Sequence, residues 1–302
     1  MKLTNKYNLP DTFINVMRRP TYSKGKAHLS ITQLIDSPKV VALKKKYDEE
    51  LEEDVADRVW SIFGSAVHAV LEHGKDDKHV VEERIHAEVD GWFISGAVDL
   101  QIVNDDGTIS IRDYKTTSVW AVMKDKIEWE QQLNMYAYLV ETVKKKAVKD
   151  LGIVAIIRDW SRRDSTLKPG YPEAPIKEIH IRLWPYEERR QFVLDRIAKH
   201  SACDFAMETG ELPPACTPEE MWEKQAVYAV RKVGGVRAKS LHDTQDDAKA
   251  ALENMGKGYE IEVRAGERTR CANFCPVRNY CAQWKEYLEI TNGFWEQIME
   301  QA

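Results

Sequence analysis

A chain of 302 residues is long enough to bury a substantial core and to hold one large domain or two. With 43% hydrophobic and 31% charged residues, its composition is that of a soluble globular protein, and no segment approaches the eighteen consecutive apolar residues of a membrane span. The formal net charge of −5 gives no overall signature of nucleic-acid binding, although local basic patches remain compatible with it.

Residues 1–29 are interpreted as a basic N-terminal arm. The first 26 residues carry six basic residues and one acid, Asp11, and they lack an apolar signal core, so we expect a cytoplasmic location. A short helix is predicted to begin at Ser30 and to end at Ser37-Pro38, because the residue before a proline disfavours the helical conformation.

Helices and strands alternate between residues 57 and 207. Apolar residues at helical spacing predict helices over 57–73, 124–146 and 186–207, and the apolar stripe of the first includes Phe63 and Val70. Short apolar runs predict strands over 80–86, 92–100, 108–115, 153–158 and 178–183. This order predicts an α/β domain over residues 30–208 around one mixed sheet flanked by helices.

The pattern changes after residue 208, and Pro213-Pro214 marks the boundary. Residues 209–302 are predicted to form a C-terminal α+β region. Its elements are a helix that starts near 216–220, a basic ribbon over 228–240 with a turn at Gly234-Gly235, a helix over 246–254, a strand over 259–264 and a closing helix.

Charged residues end two of the predicted strands where the alternation calls for core residues. Asp99 lies on the same face of its strand as Ala97, and Asp113 and Lys115 lie on the same face as Ile111. Such breaks in a pattern tend to mark functional sites, and packed carboxylates repel one another unless a cation lies between them. These residues therefore indicate a divalent-metal site for phosphodiester hydrolysis.

The turn between these strands, Asn104-Asp105-Asp106-Gly107, decides whether the two acids meet. A two-residue Asp-Gly turn would pair position 100 with 113 and place Asp99 and Asp113 on opposite faces. A three-residue loop over 105–107, or a bulge, would pair 99 with 113. We therefore predict an odd-numbered loop or a bulge; the alternative is an exposed acidic hairpin.

Four motifs in order carry a family resemblance: Gly64-x-x-x-His68, Gly96-x-x-Asp99, Asp113-x-Lys115 and Gln132-Leu133-x-x-Tyr136. Over residues 30–140 the chain resembles the RecB-like branch of the PD-(D/E)XK nuclease superfamily. The resemblance implies a restriction-endonuclease-like core. It implies Mg²⁺ or Mn²⁺ held by His68, Asp99, Asp113 and the Tyr114 carbonyl.

The resemblance also assigns roles to the remaining motif residues. Lys115 would position the attacking water and help to deprotonate it. Gln132 would orient Lys115 or a phosphate, and Tyr136 would contact the DNA backbone. Glu83, on the strand that enters the hairpin, is a weaker candidate for an outer position around the metal.

Five cysteines lie in the last third of the chain, and three of them, Cys271, Cys275 and Cys281, are clustered. Cys216 is the best fourth ligand for an iron–sulfur cluster or zinc, whereas Cys203 fits a buried helix position. The arrangement resembles the C-terminal iron–sulfur region of RecB-like exonucleases, including CRISPR-associated, AddB-type and phage members. In those families the first cysteine usually precedes the nuclease core, so Cys216 would substitute for it here. We predict [4Fe–4S], with zinc as the alternative.

Two basic segments are candidate DNA contacts. Arg158 and Trp160 could supply phosphate and stacking contacts at a strand end, although Trp160 could equally be a core residue. The basic ribbon offers further cations that could follow a DNA backbone, although a solvated surface hairpin explains them equally well: Arg231, Lys232, Arg237 and Lys239.

The sequence thus predicts a metal-dependent DNA exonuclease that acts on single strands or duplex ends in recombination, repair, phage DNA processing or CRISPR adaptation. The alternatives are a structure-specific endonuclease and a non-catalytic DNA-binding adaptor on the same fold. No helicase phosphate-binding loop occurs in the sequence, so duplex unwinding would need a helicase, recombination or integration partner.

Overall fold

The computed structural model describes residues 1–18 and 24–300, with 292–300 described by backbone alone. It divides into two compact units: residues 1–42 with 48–211, and residues 43–47 with 212–302. Residues 19–23 of the predicted arm, and the last two residues of the predicted closing helix, lie outside the described residues.

The first unit contains most of the regular structure. Its strands are β1 (Lys2–Thr4), β2 (Leu29–Ser30), β3 (Glu52–Asp54), β4 (His79–Val89), β5 (Trp92–Val103), β6 (Ile109–Thr117), β7 (Val148–Ile157) and β8 (Ile176–Ile181). Its helices are α1 (Asp11–Arg18), α2 (Ile31–Ile35), α3 (Pro38–Lys46, which runs into the second unit), α4 (Val59–Leu71), α5 (Val119–Val122), α6 (Ile127–Leu139), α7 (Arg162–Leu167) and α8 (Tyr186–Thr209).

One mixed sheet organises this unit. Its strands follow the order β2-β5-β6-β7-β8, and β4 also pairs with β5. The β6–β7 pair is parallel, whereas β4–β5, β5–β6 and β7–β8 are antiparallel. Helices flank the sheet, so the predicted α/β fold with a mixed central sheet is confirmed.

The hairpin between β5 and β6 has the predicted odd-numbered loop. Leu100 pairs with Arg112 and Val103 with Ile109. The Thr108 carbonyl accepts a 2.9 Å hydrogen bond from the Asn104 amide, which leaves a three-residue loop over 105–107. Continuation of this register places Asp99 opposite Asp113, so both carboxylates lie on one face of the sheet.

Helix α6 is the central packing element of the unit. Its residues from 132 to 139 are all buried, including the polar side chain of Asn134. That amide donates to the Arg182 carbonyl (2.9 Å) and accepts from the Trp184 amide (2.8 Å), so its polar atoms are satisfied inside the core. This packing fixes the face of α6 that carries Gln132 and Tyr136.

Three predicted helices differ from the observed ones. Pro38 begins α3 rather than ending the preceding helix, since the first helical position needs no amide hydrogen. The predicted helix over 124–146 is shorter in the structure: α6 covers Ile127–Leu139, and a π-helical turn over Val140–Lys144 follows it and ends at Lys145 in the left-handed conformation (φ 57°). The stripe assigned to α4 is not a core face, because Phe63 and Val70 are 41% and 70% exposed.

The second unit has its own small sheet. Its elements are α9 (Pro218–Met221), β9 (Glu223–Lys224), β10 (Val227–Lys232), β11 (Ala238–His242), α10 (Gln245–Met255), β12 (Tyr259–Arg264), β13 (Glu267–Arg268), α11 (Thr269–Asn273) and α12 (Ala282–Glu300). Strands β11-β10-β12 form an antiparallel sheet, and the predicted basic ribbon is the β10–β11 hairpin. Across the described residues, no helix has both the length and the apolar character that a membrane crossing requires.

Candidate metal centre

A cavity of about 180 Å³ in the first unit collects most of the predicted catalytic residues. Strand β5 supplies Asp99, β6 supplies Asp113 and Lys115, α4 supplies His68, and α6 supplies Gln132 and Tyr136. The two aspartates are almost fully buried, at 4% and 1% exposure. Two neighbouring strands and two helices therefore direct acidic, basic and imidazole groups to one small volume.

His68 and Tyr114 provide ligand atoms on one side of this volume. The Nε2 atom of His68 lies 3.3 Å from the Tyr114 carbonyl oxygen, and its Nδ1 atom lies 3.7 Å from Oδ1 of Asp99. The second oxygen of Asp99 accepts a 2.8 Å hydrogen bond from the Tyr114 amide, which fixes this carboxylate against β6. The Tyr114 carbonyl thus lies beside Nε2 of the imidazole and the Asp99 carboxylate beside Nδ1, so that either nitrogen has an oxygen ligand for a cation next to it.

Asp113 has the most constrained carboxylate of the site. One oxygen, Oδ1, accepts a 3.2 Å hydrogen bond from the Gln132 amide. The other, Oδ2, is buried and forms an ion pair of 2.6 Å with the ammonium nitrogen of Lys115. A carboxylate oxygen can accept more than one partner, so an oxygen paired with a single ammonium group can still bind a divalent cation.

Burial and like charge act on these ionisable groups together. Burial, and then the neighbouring carboxylate of Asp113, raise the pKa of Asp99 to about 7. The hydrogen bond to Glu82 raises the pKa of His68, although burial opposes it. For Lys115, burial favours the neutral amine, but the charges of Asp113 and Asp99 outweigh it and raise the pKa. Without a cation, the site therefore retains protons.

Glu82 is a site residue that the sequence analysis missed. Its Oε1 atom lies 2.8 Å from Nδ1 of His68, and ligand atoms of Glu82, His68 and Asp99 all lie within 4.8 Å of one another. The β4–β5 register places Glu82 opposite Asp99, and its φ of 50° is unusual for a strand residue. Glu83 faces elsewhere: its carboxylate contacts Gln101 and Lys144.

Gln132 and Tyr136 form a buried pair behind Asp113. The Gln132 amide donates to the Tyr136 hydroxyl (2.7 Å) and to Asp113, so it orients the carboxylate rather than Lys115. Tyr136 is 4% exposed, and a Cβ atom at Gly96 would lie 2.8 Å from its ring. Glycine at position 96 thus allows the ring to approach β5, which is one physical reason for the Gly-x-x-Asp pattern.

Arg84 is a second residue that the sequence analysis missed. It lines the cavity together with the hydroxyl residues Ser30 and Thr32, and its guanidinium donates to the Ser95 hydroxyl (3.1 Å). Arg84 lies two residues after Glu82, so both project from the same face of β4. The alternation along β4 places Glu82 and Arg84 on one face, but only the pairing of β4 with β5 shows that this face also carries Asp99.

In the second unit, four cysteines are electrostatic neighbours. The pKa of the Cys271 thiol is raised to about 11 by burial and by Cys275, Cys216 and Cys281, and no disulfide links any of the cysteines. Gln283 holds the Cys216 backbone through two hydrogen bonds of 2.9 and 3.1 Å. Cys203 is buried on α8 of the first unit, away from this group in the chain.

The predicted DNA contacts have different surroundings. Arg158 is exposed and stacks on Trp60, 4.1 Å from the ring centroid, whereas Trp160 packs against the core and donates to the Pro172 carbonyl (2.8 Å). On the ribbon, Arg231 forms ion pairs with Glu260 and Glu262. The other ribbon cations are exposed: Lys232, Arg237 and Lys239.

A mixed sheet that presents two carboxylates, a lysine and a histidine to one cavity defines a candidate metal-dependent hydrolase. A family model of the PD-(D/E)XK nuclease superfamily matches residues 74–282, more than half of the chain, and the protein therefore belongs to that superfamily. A comparison with curated protein sequences gives no match. The solved structure described as "Crystal structure of SSO0001" is 19% identical, with a TM-score of 0.44, and the alignment covers 68% of this chain and 94% of that one.

Proposed function

We propose that this protein is a divalent-metal-dependent DNA exonuclease of the RecB-like type that acts on single strands or duplex ends. The observation that supports this most directly is the convergence of His68, Asp99, Asp113 and Lys115 on one cavity in a member of a nuclease superfamily. An adaptor without catalytic activity would have no need to maintain a buried carboxylate pair against its mutual repulsion.

The residues of the cavity fit a divalent cation. The Asp113 carboxylate, together with Asp99, His68 and the Tyr114 carbonyl, forms a mixed oxygen and nitrogen donor set that suits Mn²⁺ as well as Mg²⁺. Such a cation, when bound, acts as a Lewis acid and lowers the pKa of its water.

The protein side chains would make the other contributions to catalysis. The ammonium of Lys115 would stabilise the negative charge that develops on the phosphate oxygens. A bound cation would offset the negative charge of the carboxylates that raises the pKa of Lys115. The pKa of Lys115 would then fall, and the amine could take part in activating water. Gln132 would hold Asp113 in position, and Arg84 would contact a phosphate oxygen.

Circular and linear single-stranded DNA separate the proposed exonuclease from the endonuclease alternative. The purified protein is incubated with each substrate and Mn²⁺, and the products are resolved by electrophoresis. We expect the linear strand to be degraded and the circle to be spared. Cleavage of the circle would favour the endonuclease, and cleavage of neither substrate would favour the adaptor.

Replacing Glu82 with glutamine is expected to weaken Mn²⁺ binding by about 10–100-fold, because Glu82 orients the imidazole of His68. Calorimetric titration of Mn²⁺ measures this directly and does not depend on cleavage. Glu83→Gln is the matched control, since Glu83 pairs with Lys144 instead. Equal affinities of the two variants would contradict the role of Glu82.

For the second unit we propose a [4Fe–4S] cluster held by Cys216, Cys271, Cys275 and Cys281. Arg268, Arg270 and Lys44 are electrostatic neighbours of these thiols, and such cations would stabilise four thiolates. Zinc sites usually pair their thiols with gaps of two to four residues, and the sequence lacks a second close pair, which favours the cluster over zinc.

Anaerobically purified protein is expected to contain iron and acid-labile sulfide and to absorb visible light. Cys216→Ala should lose this absorption, whereas Cys203→Ala, a substitution at a buried cysteine of the other unit, should retain it. Metal analysis checks both variants. Stoichiometric zinc without iron would overturn the cluster and support the zinc alternative.

We assign the nuclease core to residues 30–208 and the cluster-binding region to 209–302, after a basic arm over 1–29. DNA recombination, repair, phage DNA processing and CRISPR adaptation are the processes that such an exonuclease would serve. A helicase, recombination or integration partner would supply any duplex unwinding.

A further inference from the structure

Helix α4 leaves large apolar side chains on the surface beside the proposed active site. None of its thirteen residues is buried, although its only polar side chains are Ser61, Ser65 and His68. Trp60 is 56% exposed, and Phe63 contacts it edge-on with 6.4 Å between the ring centroids. Exposed aromatic clusters of this kind mark interaction sites.

A second exposed tryptophan follows the catalytic strand. Trp120, on α5, is 59% exposed, and the ammonium groups of Lys124 and Lys126 lie 4.6 and 5.1 Å from its ring centroid. The guanidinium of Arg158 lies over the ring of Trp60. Trp60 and Trp120 therefore both have a cation against the ring. Within the described part of the chain, no carboxylate forms an ion pair with Arg158, Lys124 or Lys126.

Hydrogen bonds connect the segments beside both tryptophans at the end of β6, the strand that carries Asp113 and Lys115. The Arg158 amide donates to the Thr117 carbonyl (2.9 Å), and the Val119 amide donates to Asp159 Oδ1 (2.7 Å). Thr117 lies two residues beyond Lys115 on β6, or about 7 Å along the strand. Trp60 lies eight residues before His68 on α4, or about 12 Å along the helix.

We propose that these residues form a stacking surface for the unpaired bases of a DNA strand whose phosphate enters the cavity. The stacking surface consists of Trp60, Phe63, Trp120, Arg158, Lys124 and Lys126. Aromatic faces accept any base, and the adjacent cations match the phosphate charge, which is the chemistry of binding single-stranded nucleic acid without sequence preference. The apolar surface of a protein partner would gain nothing from the three cations that lie against these rings.

This inference rests on the proposed function for its choice of DNA and goes beyond it in selecting unpaired strands over paired ends. Base pairs in a blunt duplex stack on each other, so their faces are not available to tryptophan. The stacking surface therefore predicts that binding requires unpaired nucleotides near the cleaved phosphate.

Fluorescence anisotropy in EDTA tests the stacking surface without cleavage. The probes are a fluorescein-labelled oligothymidylate of about twenty nucleotides and an abasic strand of equal length. We expect Trp60→Leu and Trp120→Leu each to weaken oligothymidylate binding about 5–100-fold and to leave abasic-strand binding within about twofold. Trp60→Phe and Trp120→Phe, which keep an aromatic face, should retain most of the affinity.

Phe205→Leu is the matched control, because Phe205 is 61% exposed on α8 and lies outside the stacking surface. Unchanged oligothymidylate binding by both leucine variants, or an equal loss for both probes, would overturn the inference. The phenylalanine variants decide the question if a leucine variant folds poorly: retained affinity supports stacking, and lost affinity in a folded variant contradicts it. A wild-type chain that shows this binding pattern yet cleaves no DNA would refute the proposed function and leave the stacking surface standing.

Discussion

Replacing Lys115 with alanine is expected to lower the rate of DNA cleavage by about 10²–10³-fold. The Lys115 ammonium lies 2.6 Å from Asp113 Oδ2, inside the cavity where a phosphate would bind. Its charge would therefore act on the developing negative charge in a setting from which bulk water is largely excluded. Loss of a preorganised charge at such a position costs more than loss of a surface lysine.

Single-turnover cleavage of a labelled linear strand at saturating Mn²⁺ measures this effect apart from product release. Lys115→Gln, which is close to lysine in length but uncharged, should be as impaired as the alanine variant. Lys149→Ala is the matched control, because Lys149 is an exposed lysine on β7 paired with Asp106. Activity near the wild-type level in Lys115→Gln would show that the charge is not needed.

The central features of the fold could be predicted from the sequence because they depend on local signals. The alternation of apolar residues located the strands, and the choice between a two-residue and a three-residue loop fixed which residue faces Asp113. Asp99 and Asp113 could therefore be assigned to one face without knowledge of the tertiary structure.

Other parts of the site depend on packing that a sequence pattern does not record. Glu82 and Glu83 are adjacent acids on β4, and only the pairing of β4 with β5 decides which one lies beside Asp99. Likewise, Gln132 and Tyr136 are one turn apart on α6. Their contact with Asp113 follows from the depth at which α6 is buried, not from that spacing.

Helix α4 shows the opposite problem, since the apolar stripe predicted from its sequence is left exposed by the fold. Apolar residues at helical spacing indicate a surface that avoids water, but the spacing does not reveal what covers it. In this protein the helix supplies His68 to the cavity and leaves Trp60 and Phe63 outside. An apolar stripe at helical spacing therefore need not belong to the core.

Replacing Asp99 with asparagine is expected to stabilise the metal-free protein at pH 8 by about 1–2 kcal/mol while removing its response to Mn²⁺. The folded-state pKa of Asp99 is raised to about 7 from an ordinary value of 3.8, so the folded protein binds more protons than the unfolded chain between these values. Wild-type stability should therefore fall as the pH rises from about 4 to 7. Asparagine cannot ionise, yet its amide oxygen can still accept the hydrogen bond from Tyr114.

Thermal unfolding at pH 5 and pH 8, with and without Mn²⁺, measures both parts of this prediction. At pH 8 the metal-free variant should melt about 2–8 °C above the wild type, and the difference should shrink at pH 5. Mn²⁺ should raise the melting temperature of the wild type, more strongly at the higher pH because its ligands must lose their protons, and should leave the variant nearly unchanged.

Asp150→Asn is a control for which the opposite change in stability is expected. Burial alone would raise the pKa of Asp150, but hydrogen bonds from Ser110 and Arg112 outweigh it and lower that pKa. Its charge therefore stabilises the folded state above the ordinary pKa, and the asparagine variant should melt below the wild type at pH 8. If Asp99→Asn instead destabilises the metal-free protein as Asp150→Asn does, the carboxylates of the cavity do not repel one another. The case for a cation between them would then lose its physical basis.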